Sequence, residues 1–311
     1  MGTMARKRRG GKVDGWVVLD KPEGLNSTRA VSIVRRLFDA AKAGHAGTLD
    51  PLATGVLPIA LGEATKTVPF VMDGRKAYRF TVRWGEARTT DDGEGEVCDT
   101  SDVRPAEADI IAALPGFLGE IEQVPPRYSA IKIDGERAYD LARANVPVEM
   151  KSRIVTLTRL TLLRIVDADS AEFEVACGKG TYVRSLARDL ALALGTVGHV
   201  VALRRTRSGP FMLEHAISLD SLEESAHGPG LQSHLLPIET ALDDIPALAL
   251  SGSEASQLRS GQPIPLFRMA DIGRLGDLDK ADIVCAMAEG RPVALTRFAE
   301  GRLHPVRVFN L

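Results

Sequence analysis

Residues 44–66 read "GHAGTLDPLATGVLPIALGEATK" and constrain the fold more than any other stretch. Leu49, Leu52, Val56, Leu57, Ile59, Ala60 and Leu61 are core-forming side chains, and Asp50, followed at once by Pro51, stands among them. A carboxylate left alone in an apolar interior is costly, so Asp50 must be protonated, paired or used. Glycine and proline at this density predict a loop with packed sides. Asp-Pro is also a common turn opener, which supplies a purely structural reading of Asp50. A glycosidase would need a second carboxylate about 5–10 Å away. The nearest downstream, Glu63, belongs to a different turn. A working Asp50 is therefore a lone carboxylate that needs a cation to stay charged. Arg184 is a candidate, although spacing alone does not pair the two.

The totals narrow the classes. The chain has 311 residues, 44% hydrophobic and 26% charged, which fits a globular protein of one large and one small domain. No apolar stretch reaches the roughly 18 residues of a membrane span, and the basic N-terminus lacks a signal-peptide core, so the cytoplasm is expected. Cys98, Cys177 and Cys285 are far apart, which leaves neither a disulfide framework nor a zinc site and favours small buried hydrophobes. The six histidines are isolated; only His45, in a glycine-flanked loop close to Asp50, stands out. The net charge of −2 does not advertise a nucleic-acid partner. Local basic patches do exist: Arg6 to Arg9; then Lys132, Arg137, Arg143, Lys151 and Arg153; then Arg204, Arg205 and Arg207. Taken alone, each reads first as a solvated face, and acid is concentrated elsewhere, as in "TTDDGEGEVCD".

Along the chain, a strand is predicted at Trp16 to Leu19. A helix capped by Ser27 or Thr28 follows, with Ala30, Ile33, Val34 and Leu37 on one face. Tyr78, Phe80, Val82 and Trp84 alternate as in a half-buried strand. The stretch "VPPRYSAIKIDGERAYDLARANVPVEMKSRIV" reads as an excursion, with a hairpin at Asp134-Gly135 and a short helix from Glu136 to Arg143. Two strands and a helix beginning at Val183, stopped by Gly195, come next. "GKGTYVR" lacks the spacing of a P-loop, although its amides suit an anion at a helix N-terminus. Near Leu236-Pro237 the pattern changes to short strands, a compact β-rich tail. Strands with scattered helices and no βαβ period predict an α+β fold.

The residues from Gly44 to Lys66 resemble the catalytic motif of the TruB family of tRNA pseudouridine synthases. "VLDKPEGLNS", "KAYRF", "VPPRYSAIKIDGERAYDLAR", "GKGTYVRSLARDLALALG" and "HVVALRRTRSGPF" resemble further family segments, in the same order, over roughly residues 12 to 240. Ala46 departs from an expected Thr and Asn145 from an expected Gly. The tail resembles a PUA-type RNA-binding module only weakly.

The resemblance implies a mixed, largely antiparallel central sheet flanked by helices. The catalytic domain would span residues 12–243, with an RNA-gripping insertion at about 124–152, and a PUA-like domain residues 244–311. It implies isomerisation of a T-loop uridine of tRNA, position 55, after base flipping. No cofactor or metal and no obligate protein partner are expected, and the chain is expected to be a monomer. Asp50 takes the role of essential carboxylate, Arg184 its cationic partner, and Tyr78 the ring that stacks on the base. His45 would fill the space the base leaves. Lys21, Pro22, Tyr182 and Leu203 would pack around the site, and Lys132, Arg143, Lys151 and Arg153 would hold the T stem-loop. The tail is expected to assist binding without sharing in the chemistry. The alternatives are a synthase acting on another RNA, as the eukaryotic and archaeal relatives do within a complex, and a non-catalytic RNA-binding or chaperone protein of the same fold.

Overall fold

The computed structural model describes residues 10–129, 132–133, 136–137, 150–226, 228, 230–266 and 283–311. The first half of the chain forms β1 (Gly15–Lys21), α1 (Ser27–Leu37), β2 (Ala43–His45), β3 (Thr54–Leu61), α2 (Val68–Asp73) and β4 (Lys76–Trp84). Then come the hairpin β5 (Glu86–Arg88) and β6 (Val97–Thr100), α3 (Glu107–Ala113) and β7 (Gly119–Gln123). A two-residue pair, β8 (Lys132–Ile133) and β9 (Glu136–Arg137), precedes the long strands β10 (Arg153–Asp167) and β11 (Ser170–Cys177). Helix α4 (Val183–Ala193), β12 (Gly198–Ser208), β13 (Phe211–Met212) and β14 (Ile217–Ser218) complete the larger part.

These strands make one sheet in the order β14-β1-β3-β12-β4-β11-β10-β7, with β2 added beside β3 and β13 beside β12. The pairs β3–β12 and β1–β14 are parallel; the other neighbours are antiparallel. The α+β expectation therefore stands. One face carries a core to which α1, α3 and α4 contribute Ala30, Val34, Ile110, Leu186 and Leu190. There Phe80 stacks on Phe173 at 5.4 Å between ring centres, as the alternation in β4 predicts.

Five corrections follow from the structure. Thr54–Leu61, within the stretch read as a loop, is strand β3, because Val56, Leu57, Ile59, Ala60 and Leu61 are all buried. Its apolar run does not alternate because both faces are covered: Leu57, Ile59 and Leu61 join the main core, while Val56 and Ala60 pack into a second cluster on the reverse side. The cap of α1 is Asn26, whose side chain accepts a hydrogen bond from the Arg29 amide, and not Ser27 or Thr28. Glu136 and Arg137 are strand where a helix was expected, paired with the strand before Asp134-Gly135 as the hairpin signal implies; residues 138–149 lie outside the described residues. Cys98 is exposed on β6, unlike Cys177 and Cys285. Arg205 is fully buried and no part of a solvated patch, because its guanidinium is consumed by backbone carbonyls.

The tail forms β15 (Ala247–Ala249), α6 (Gly252–Arg259; α5 is Leu219–Ser225), β16 (Ile264–Pro265), β17 (Val284–Ala288), β18 (Arg291–Ala299) and β19 (Arg302–Val308). Its five strands form a separate sheet with its own core around Leu248, Leu258, Ala286 and Leu303. Cys285, Leu295 and Phe309 from the tail pack with Trp16, Val18, Val56 and Ala60 in the second cluster. Two polar contacts reinforce that seam: Lys66 Nζ donates to the Val308 carbonyl at 2.7 Å, and the Asn310 amide donates to Glu63 Oε2 at 2.7 Å.

Candidate active site

Asp50 lies in the segment between β2 and β3, and its neighbours are tied down one by one. The Ser27 hydroxyl donates to the Leu49 carbonyl and accepts from the Leu49 amide, both at 2.9 Å. Lys21 is fully buried; its ammonium donates to the carbonyls of Pro22 (2.9 Å), Leu25 (2.7 Å) and Pro51 (3.2 Å). Burial pulls its pKa down to about 8, although Asp50 acts in the other direction. The Gly24 amide also donates to the Pro51 carbonyl, at 2.8 Å. On the far side Arg205 donates from Nε to the Val56 carbonyl (2.7 Å) and from Nη2 to the Gly47 carbonyl (3.0 Å).

Sheet register sets the position of Arg205. It pairs with Gly55 on β3 and with Tyr78 on β4, so the three form one row across the sheet. Gly55 has a φ of +96°, and a Cβ there would come within 2.2 Å of the Arg205 carbonyl, so only glycine fits. Cross-strand partners point the same way, which brings the Arg205 guanidinium to the Tyr78 hydroxyl in a hydrogen bond. Burial pushes the Tyr78 phenol above its ordinary pKa, and Arg205 opposes that rise.

Arg184 projects from the first turn of α4. Its Nη2 is 3.0 Å from Asp50 Oδ2, and its Nη1 is 3.1 Å from Oδ2 of a second carboxylate, Asp92. The Thr90 and Tyr128 carbonyls accept from the same guanidinium at 3.0 and 2.9 Å. Burial raises the Asp50 pKa above its ordinary value, Arg184 lowers it, and the charge on Asp92 raises it again; the net direction is upward. The expected cation is thus present, but burial outweighs its effect on the proton.

Asp50, Tyr78, Tyr182, Arg184, Leu203 and Arg205 line one cleft of about 320 Å³, a volume within the usual range for small ligands. Thr181, Lys179, Met72 and Ser129 lie on its walls. Lys76, also lining, caps the last turn of α2 through the carbonyls of Val71, Met72 and Gly74, and burial lowers its pKa to about 8. Tyr182 exchanges two hydrogen bonds with the Gln123 side chain, at 2.8 and 3.1 Å.

The remaining expected residues fall at different distances from this cleft. Lys21 sits beneath the loop, as described above, and Pro22 is exposed, touching the arrangement through its carbonyl. His45 is half-buried on β2 and is not among the described residues lining the cleft; burial, then Arg205, lowers its pKa. Arg153 stacks over the Tyr182 ring, 4.9 Å from its centre. Lys151 is exposed, Lys132 lies in β8, and Arg143 lies outside the described residues. Sequence reasoning missed Asp92, Arg205 and Ser129. In sequence the acidic turn reads as solvated and the Arg-Arg pair as one patch, yet Arg204 faces Asp20 at 2.8 Å while Arg205 turns inward.

The family model for the N-terminal domain of TruB family pseudouridylate synthases matches residues 35–183, and that for the tRNA pseudouridylate synthase B C-terminal domain matches residues 184–243. The chain is 56% identical over 308 residues to tRNA pseudouridine synthase B of Rhodospirillum rubrum, covering 99% of this chain and 100% of that protein. It is likewise 56% identical to the protein of that name from Caulobacter sp. strain K31, over 99% and 100% of the two chains. Among solved structures, a Cbf5-Nop10-Gar1 complex contains a chain that matches with a TM-score of 0.70 and 28% identity, over 95% of this chain and 84% of that one.

Proposed function

Because the chain belongs to the TruB family of pseudouridylate synthases, we propose that it converts a uridine in the T loop of tRNA, position 55, to pseudouridine with Asp50 as the essential carboxylate. The observation that carries this reading is Asp50 itself: a rigidly anchored carboxylate, 37% exposed, on the wall of a cleft, with its cation behind it. The base must leave its stack to reach such a recess. The N1–C1′ bond then breaks, the uracil turns, and a C5–C1′ bond forms while the C5 proton is lost and N1 gains one. Atoms and electrons balance without a redox partner. Asp50 acts either on carbon as a nucleophile or on the ribose 2′ proton as a base; both require its ionised form. Arg184 supports that form electrostatically. Tyr78 offers a ring for stacking and a phenol for the C5 proton. Leu203 and Tyr182 supply apolar walls that limit water, and with it hydrolysis. Arg153, Lys151, Lys132 and Arg143 are the basic side chains that would contact phosphate.

The test is an unmodified tRNA transcript incubated with the protein alone, followed by a pseudouridine-specific chemical read-out. One modified uridine in the T loop is expected. Its absence, with modification elsewhere or only when a guide RNA or accessory protein is added, would favour a synthase of the complex-forming type instead.

A further inference from the structure

Ser129 is 4% exposed, lines the cleft with Asp50 and Tyr78, and its hydroxyl has no hydrogen-bond partner among the described residues. Buried hydroxyls are as a rule bonded, so an unbonded one in a cleft points to a partner that arrives with the ligand. Its position is not accidental. The segment leading to it is strapped to the first turns of α4: the Val124 carbonyl accepts from the Ser185 hydroxyl (2.8 Å) and Arg188 Nη2 (2.9 Å). The Tyr128 carbonyl accepts from Arg184 Nη2 at 2.9 Å. The arginine that pairs with Asp50 therefore also fixes the residue next to Ser129.

We propose that the Ser129 hydroxyl hydrogen-bonds the flipped target nucleotide, through the polar edge of its base or its ribose 2′-hydroxyl, and so seats it against Asp50. This rests on the pseudouridine synthase reading above. Ser129 is a substrate-positioning residue; it moves no proton in the reaction.

The experiment uses S129A in the full chain with unmodified tRNA transcript. Since the hydroxyl has no hydrogen-bond partner among the described residues, Tm should equal that of the wild type. The value of kcat/KM should fall roughly 2- to 10-fold, the worth of one neutral hydrogen bond. Affinity is then titrated against transcripts carrying uridine or 2′-deoxyuridine at the target. A cost of S129A that vanishes with deoxyuridine assigns the bond to the ribose; an equal cost with both assigns it to the base. Wild-type kcat/KM and affinity in S129A would overturn the proposal, as would a drop in Tm that accounts for the lost activity. A wild-type protein that forms no pseudouridine fails the functional reading instead, and that control is read first.

Discussion

The ion pair between Arg184 and Asp50 is lopsided: at 3.0 Å, the arginine side chain is 5% exposed and the carboxylate 37%. The cation is structural and surrounded; the anion opens on the cleft. Removing the two partners should therefore have unlike consequences.

Asp50→Asn should lower the saturating single-turnover rate by about 10⁴-fold or more, on the scale of losses at unit-acting catalytic residues. Folding should not suffer, because Arg184 keeps Asp92 and two carbonyls. The sign with pH follows from the raised pKa of Asp50. The carboxyl's favourable contribution is present at low pH and is lost as pH rises through its folded value. Tm of the Asn variant should then equal or exceed the wild type at neutral pH, with any gain shrinking on acidification. Paired melts and pseudouridine counts check both; near-normal turnover would return Asp50 to a turn residue.

Arg184→Ala leaves Asp92 buried without its cation as well as Asp50. Stability should fall by about 3–5 kcal/mol, as when one partner of a buried pair is removed. Arg184→Lys should restore part of the stability but not the rate, since a point charge cannot serve two carboxylates and two carbonyls at once. Denaturant titration of the three proteins, with rates, would expose an error if alanine behaves as a surface change.

The pH–rate profile should carry an acid limb above the ordinary aspartate value of 3.8, because net burial favours the protonated Asp50. Asp92 contributes to that rise. Asp92→Asn should therefore shift the limb of kcat/KM to lower pH, whatever it does to the maximum. A limb that stays or moves upward would refute the coupling.

Arg205→Lys retains charge but forfeits the fork that reaches the Gly47 and Val56 carbonyls. Two buried acceptors left unmade, at about 1–3 kcal/mol each, predict a loss of roughly 2–6 kcal/mol. The rate at saturation should fall too, since the same side chain orients Tyr78. A variant with wild-type Tm would mean that the row Gly55–Arg205–Tyr78 is not rigid.

Phe309→Ala should destabilise the protein by about 3–5 kcal/mol, because Phe309 packs into the cluster holding Trp16, Val18 and Val56. The expectation that the tail serves binding alone thus meets a structural seam on the back of β3. Truncation before Ala247 should lower the Tm of the remaining chain, and its rate should fall with the loosening of β3. An unchanged melt would make the seam passive.

What the sequence by itself determined is local. Alternation in β4, the apolar run after Asp50, the start of α4 and the strands of the tail are legible because burial and backbone sterics act over a few residues. The motifs likewise single out Asp50, Tyr78, Arg184, Tyr182 and Leu203, which meet in one cleft. Only the tertiary structure decided which charges face inward. Asp92 and Arg205 look like their neighbours Asp91 and Arg204 in any local window, although those two are less buried and pair with Arg188 and Asp20 instead. What separates them is the register of strands far apart in the chain, which aligns Gly55, Arg205 and Tyr78, and the docking of α4 over the acidic turn. The same long-range packing buries β3 on both faces and so hides its strand character from a period-two reading. A buried charge is tolerated only where a partner waits, and that partner is supplied by topology, which no short window of sequence contains.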